Sequence, residues 1–197
     1  PMGEYMIKAT TLAVEEINAS GGVLGRELKM VPEDDVNPGI AVQKATKLIQ
    51  QEKVDALMGI VSSAVCLAVM EVADRSKILL VNSGANSDEI RGKRCNFYTF
   101  SVEGANSQYV NTVGRYLIQE KQYKRWYFLT SDYAFGHDLL RVSRGLLKKM
   151  GGSEVGSELI PTGTMDFSSY LLKVKNARPD VVFQLSLIHI SEPTRPY

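Results

Sequence analysis

Leu12-Ala-Val-Glu-Glu-Ile-Asn-Ala-Ser-Gly-Gly-Val-Leu-Gly-Arg-Glu-Leu28, running on to Asp34-Asp35-Val36-Asn37-Pro38, decides how this chain is read. Met6, Ala9, Ala13 and Ile17 recur at i, i+3 and i+4 spacing, the pattern of one buried helical face. Gly21-Gly22 stops that helix, because glycine enters the left-handed region at no steric cost. A short strand is expected next, ending in acidic loop residues. Asn37 can then cap a second helix whose first position is Pro38, where the missing N–H is harmless. Nothing in this stretch calls for a catalytic group.

Outward from that start the pattern alternates, helix then apolar strand. Ala41, Ala45 and Leu48 mark the buried face of the second helix, and Val54–Ile60 reads as a strand. After Ser62-Ser63 another helical face repeats at Val65, Ala68, Val69 and Val72. Ile78–Val81 reads as a strand buried on both sides. Further on come a helix with Val110, Val113 and Leu117, a strand Trp126–Leu129, and a helix with Leu139, Leu146 and Met150 ended by Gly151-Gly152. A strand Val155–Ile160, a helix Phe167–Ala177 and a strand Val181–Phe183 follow. Strands alternating with helices imply α/β architecture with parallel sheets. A polar, Gly-containing segment, Ser101–Ala105, reads as the boundary between residues 1–102 and 103–184.

Composition sets bounds. The 197 residues are 44% hydrophobic and 23% charged with net charge +1, which fits a globular core and gives no polyanion steering. The apolar runs are far shorter than the roughly 20 residues a membrane helix needs. Lys and Arg are scattered; Arg91, Lys93 and Arg94 read as a solvated turn, so no nucleic-acid partner is expected. There is no Gly-x-Gly-x-x-Gly, no Gly-Lys-Ser/Thr phosphate loop, no Gly-x-Ser-x-Gly elbow and no His/Cys cluster with metal spacing. No metal, no cofactor and no enzymatic activity are expected. Cys66 falls in a helix and Cys95 in a loop, a pair that the sequence neither joins nor separates.

In open α/β sheets, ligands bind beyond the carboxyl ends of strands, where helices begin and present free N–H groups. Three loops qualify. Gly59-Ile60-Val61-Ser62-Ser63-Ala64 follows a strand and opens a helix; Ser63, or Ser62 in its place, suits an anion and equally suits an ordinary helix cap. Val81-Asn82-Ser83-Gly84-Ala85-Asn86-Ser87 offers backbone groups at Gly84 and Ala85 and an amide at Asn86, and reads also as a turn and cap. Thr130-Ser131-Asp132-Tyr133-Ala134-Phe135-Gly136-His137 offers the rings of Tyr133 and Phe135. His137 reads as solvated or structural. Asp166 reads as the N-cap of the helix that follows it.

Taken together, the Leu12–Asn37 stretch, the Asp132-Tyr-Ala-Phe-Gly136 loop and Thr164-Met-Asp-Phe-Ser-Ser169 resemble the branched-chain-amino-acid (Leu/Ile/Val-binding) type of ABC-transporter substrate-binding protein, a type I periplasmic binding protein family. The resemblance runs from Gly3 to Gln184. It implies two α/β lobes that close on a ligand in the cleft between them, with transfer to a membrane permease. The compartment it implies is the periplasm or another extracytoplasmic space. It places the ligand carboxylate at Ser63, with Ser62 as the alternative, and at the neighbouring amides. Gly84 and Ala85 match the backbone-offering positions. Asn86 stands where the family has a hydroxyl, which leaves amino-acid, amide and aromatic or aliphatic carboxylate ligands open. Phe135 stands where the family has a second tyrosine, giving a more apolar wall. A ligand-sensing domain of a receptor or amide-responsive regulator shares this fold and is the alternative function.

Two expectations concern the ends. Pro1 reads as a truncation point, without the export signal and first strand that the family has, and the loss of a central strand would leave unpaired inner edges and poor solubility. Leu185-Ser-Leu-Ile-His-Ile-Ser-Glu-Pro-Thr-Arg195 resembles translated sequencing-adapter sequence, so residues 185–197 read as an artefactual tail and His189 is set aside.

Overall fold

A computed structural model describes residues 2–185 of the chain. The reading of residues 185–197 therefore lies outside the described residues, apart from the backbone of Leu185. The chain divides into two compact units, Pro1–Glu103 and Gly104–Tyr197.

In the first unit, helix α1 (Met2–Ala19) ends where Gly22, at φ +73, turns the backbone back so that Val23 and Arg26 form a two-residue bridge. A β-carbon at Gly22 would lie 2.1 Å from the Arg26 carbonyl oxygen, so only glycine fits this turn. The strand expected after it does not form. Residues 27–36 have no strand partner among the described residues, and side chains hold them instead. Asn18 Oδ1 accepts the Leu28 N–H at 2.7 Å and Asn18 Nδ2 donates to the Leu28 carbonyl at 2.9 Å. Glu33 bridges Lys44 and Lys47 at 2.7 and 2.6 Å. Those two ammonium groups hold the Glu33 carboxyl down at about 2.

Helix α2 (Pro38–Gln50) starts as its sequence requires, with Asn37 Oδ1 accepting the Ile40 N–H at 3.0 Å, and it buries Ala41 and Ala45. Strands β1 (Ala56–Gly59), β2 (Leu79–Asn82) and β3 (Thr99–Ser101) form a parallel sheet in the order β1-β2-β3. The first two are shifted or shortened relative to Val54–Ile60 and Ile78–Val81. Between them runs α3 (Ser63–Ser76), which packs with α2, Leu57 and Leu80 into one core. The second strand is not buried on both sides. Leu57 and Leu80 face the helices, whereas Met58 is 61% and Leu79 40% exposed on the other face. Helix α4 (Asp88–Arg91) adds Ile90 to the core, and Ser87 Oγ caps it through the Glu89 N–H.

In the second unit helices cover both faces of one central strand. Helix α5 (Asn106–Gln119) leads to β4 (Arg125–Ser131), α6 (Ala134–Met150), β5 (Ser153–Ile160), α7 (Ser168–Ala177) and β6 (Val181–Leu185). The parallel order is β5-β4-β6, so β4 is central and the chain leaves it first to one side and then crosses to the other. Alternate residues of β4 point to opposite faces. Trp126 and Phe128 pack with α5 and α6, while Tyr127 and Leu129 pack with Val174 of α7. Cover on both faces explains why the strand is a continuous apolar run. Asp166 is not the N-cap residue of α7: Phe167 holds that position without a side-chain bond, and Asp166 Oδ1 reaches the Ser168 N–H at 2.9 Å from one residue earlier.

Among the described residues no helix is long and apolar enough to cross a membrane, and no group of three or more His, Cys, Asp or Glu is placed to hold a metal ion. Cys66 and Cys95 are free thiols, the first in the core and the second exposed. Burial pushes the Cys66 thiol up to about 12.

Candidate functional site

Two loops at the carboxyl end of the first sheet are joined by direct contacts. After β1 the chain passes Gly59 at φ +112 and Ile60 at φ +71 before entering α3. A β-branched residue in the left-handed region costs on the order of 1–3 kcal/mol, and such strain persists only where surrounding contacts enforce it. The enforcing contacts come from the loop after β2. Ser83 N–H donates to the Gly59 carbonyl at 3.1 Å, and Ser87 N–H donates to Ser63 Oγ at 3.2 Å. Gly84 packs so closely that a β-carbon there would lie 2.9 Å from the Ile60 carbonyl oxygen.

These contacts separate the residues singled out by sequence. Ser63 is only 1% exposed and its hydroxyl oxygen is taken by Ser87, so it ties the two loops together. Ser62 is half-buried and makes no side-chain capping bond to α3. Gly84 and Ala85 are buried, and the Ala85 carbonyl already accepts Asn82 Nδ2 at 2.8 Å. Asn86 is half-buried. Of the candidate residues in this unit, Ser62 and Asn86 therefore keep accessible surface, beside the N-terminus of a 14-residue helix whose first N–H groups favour an anion.

In the second unit the loop after β4 lies where the strand order reverses, the position at which open α/β sheets bind ligands. Tyr133 holds the N-cap position of α6 in extended backbone, and its ring lies 5.9 Å from that of Phe135. Phe135 belongs to the core with Trp126 and Phe128, whereas Tyr133 is half-buried and burial lifts its phenol to about 12. Tyr133 is thus the accessible ring and Phe135 its backing. His137 is exposed, and its Nε2 lies 2.6 Å from Asp132 Oδ1. Asn106 Nδ2 donates to Asp138 Oδ2 at 2.9 Å, and Asp138 also pairs with Arg141 at 2.7 Å.

The sequence alone gave no individual role to Asn82, Asn106 or Asp138, buried polar residues in these loops or the helix ends beside them, whereas the turn and cap read at the end of the second loop is supplied by Ser87. The available signal was a polar side chain closing an apolar strand, as in Leu79-Leu80-Val81-Asn82. Two open clefts lie elsewhere, one lined by Arg115, Ile118, Lys124 and Lys149, the other by Met70, Arg75, Arg94 and Cys95. The first sits at the amino end of β4, the end opposite the loop after β4, and neither is lined by residues of the three loops.

Parallel α/β units gather their loops and helix starts at the carboxyl ends of their strands, where open sheets of this class bind ligands. The chain belongs to the periplasmic binding protein family, whose model matches residues 1–188. It is 30% identical over 196 residues to the Leu/Ile/Val-binding protein homolog 7 of Brucella abortus, covering 94% of this chain and 48% of that protein. A periplasmic binding protein from Burkholderia mallei superposes with TM-score 0.85 at 28% identity, covering 91% of this chain and 48% of that one. A solute-binding protein of an ABC transporter from R. palustris, solved in complex with benzoate, gives TM-score 0.82 at 28% identity over 91% of this chain and 50% of that one. The chain spans about half the length of the curated relatives it matches.

Proposed function

We propose that the chain works as the extracytoplasmic solute-binding component of an ABC importer, taking a small carboxylate ligand by closure of two lobes and handing it unchanged to a membrane permease. One observation carries the reading: the loops after β1 and β2 are bonded to each other at the start of α3, through Ser63 and Ser87, with Ser62 and Asn86 left accessible. An anion placed there meets helix N–H groups, a hydroxyl and an amide, together worth about 1–2 kcal/mol beyond the individual hydrogen bonds. Within the second unit Tyr133, backed by Phe135, is the accessible ring of the loop after β4.

The ligand is recognised by its carboxylate more than by an ammonium group. Ala85, the position that would offer a carbonyl to an ammonium, is 0% exposed and that carbonyl is engaged by Asn82. The benzoate held by the R. palustris relative agrees with an aromatic or aliphatic carboxylate; the Leu/Ile/Val-binding relatives support an amino acid. Binding without turnover fits both. Thermal-shift and calorimetric screening against amino acids, amides and aromatic acids tests the reading. Stabilisation by carboxylates that Ser62→Ala weakens supports it. Equal response to uncharged amides and carboxylates removes the anion assignment.

A further inference from the structure

Asn82 closes β2 and is 0% exposed. Its side-chain oxygen accepts the N–H of Gly84 at 3.3 Å and of Ala85 at 2.8 Å. Its side-chain nitrogen donates to the Ala85 carbonyl at 2.8 Å and to Ser101 Oγ at 3.0 Å. A primary amide has two donor hydrogens and two acceptor lone pairs, so every one is used. The Asn82 backbone carbonyl also accepts the Val102 N–H at 3.0 Å. One buried residue thus holds the turn of the Gly84–Asn86 loop and the last residues of β3, two positions before the first unit ends at Glu103.

We propose that Asn82 is the positioning residue of the site: it sets the shape of the Gly84–Asn86 loop and fastens that loop to Ser101 and Val102, where the chain leaves the unit. Asn82 touches no solute. The inference rests on the loop being a ligand loop, as proposed above. Other residue types fail in different ways. Alanine leaves two buried N–H groups without an acceptor. Aspartate can accept both N–H groups but has no donor for the Ala85 carbonyl. A residue that only filled core volume would show no such ordering, and its loss would loosen the whole unit.

Amide hydrogen exchange followed by NMR on the 197-residue chain tests this, with Asn82→Ala and Asn82→Asp, and with sodium benzoate and L-leucine as probes. In Asn82→Ala the Gly84 and Ala85 amides should exchange about tenfold faster or more, since each loses a buried bond, while Leu80, bonded to the Tyr98 carbonyl, keeps its rate. Asn82→Asp should restore protection at Gly84 and Ala85. Whichever probe the wild type binds should bind Asn82→Ala about tenfold more weakly or worse, with partial recovery in Asn82→Asp. Unchanged exchange at Gly84 and Ala85, or equal acceleration at Leu80, overturns the proposal. Loss of folding in both variants overturns it too, by making Asn82 a general core requirement. If Asn82→Ala alone fails to fold, protection of Gly84 and Ala85 in Asn82→Asp decides. A wild type that binds neither probe counts against the functional reading, while the exchange contrast still judges Asn82.

Discussion

Two glycines of α6 should respond to the same substitution with opposite signs. At Gly136 a β-carbon would lie 2.0 Å from the Ser131 carbonyl oxygen and 3.0 Å from its carbon, both backbone atoms. Contacts under 3.0 Å are essentially never tolerated, so the start of α6 and the end of β4 must part by 3.0 − 2.0, or 1.0 Å. The same carbonyl accepts the Tyr133 N–H at 2.9 Å, so the aromatic loop moves with it. Overpacking of this kind costs about 1–3 kcal/mol, and a weakened buried hydrogen bond adds about 1 kcal/mol. Gly145, exposed in the same helix, has nothing within 4 Å of its would-be β-carbon. Alanine there gains about 0.5–1 kcal/mol of helix propensity. Trp126, the one tryptophan of the chain and fully buried in the second unit, reports the unfolding of that unit by fluorescence. At about 4–8 °C per kcal/mol for a domain of this size, Gly136→Ala should lower Tm by roughly 10 °C and Gly145→Ala raise it by about 4 °C. Movement of both in one direction, or a neutral Gly136→Ala, refutes the close approach of α6 to β4.

Three further outcomes follow from particular contacts. Glu33 has its folded pKa lowered from 4.5 to about 2 by Lys44 and Lys47, so its contribution is complete above the unfolded value and is lost as pH falls from about 4.5 to about 2; urea titrations across that window should show a steeper acid loss for wild type than for Glu33→Gln, and parallel curves would remove the bridge. Only Cys95 should react with a thiol reagent in the native chain, Cys66 being buried with its thiol raised to about 12, and both after denaturation; two fast native thiols would contradict the core placement. Asn37→Ala should cost about 1 kcal/mol through loss of the α2 cap, read from the urea midpoint, and no change would show that water replaces the cap.

Much of the fold was legible because local chemistry and tertiary packing agree. Asn37-Pro38 fixes the start of α2 by a cap and a preset dihedral, both short-range. The run Trp126–Leu129 announced a strand covered on both faces, and Trp126/Phe128 and Tyr127/Leu129 do face opposite helices. Periodicity misled where a partner decides the outcome. The segment after Gly22 has strand-like residues, but a strand needs a neighbour, and Asn18 supplies the hydrogen bonds to Leu28 instead. Ile78–Val81 looked buried on both sides, yet only the face of Leu80 meets helices, because hydrophobicity alone does not count layers.

At the candidate site, the sequence singled out three loops and left the packing of their side chains hidden. Ser62 and Ser63 are adjacent hydroxyls in one motif. Which of them stays accessible depends on Ser87, 24 residues further on. Phe135 and Tyr133 look alike in the loop and differ because one ring enters the core of α5, α6 and β4. Asn82 was passed over because an amide's role is set by its partners, and Ser101 stands 19 residues away. Long-range polar pairing is the information that composition and spacing do not contain.

An NMR titration of the 197-residue chain with benzoate and with L-leucine, followed at the amides of Ser62, Asn86 and Tyr133, goes most directly to the claim that these loops hold a small carboxylate. Saturable shifts are expected at Ser62 and Asn86 that follow one binding curve, stronger for a carboxylate than for benzamide, with Tyr133 reporting on the second unit's loop separately. Shifts absent at millimolar ligand, or gathered at the clefts around Lys124 or Cys95 instead, would contradict it.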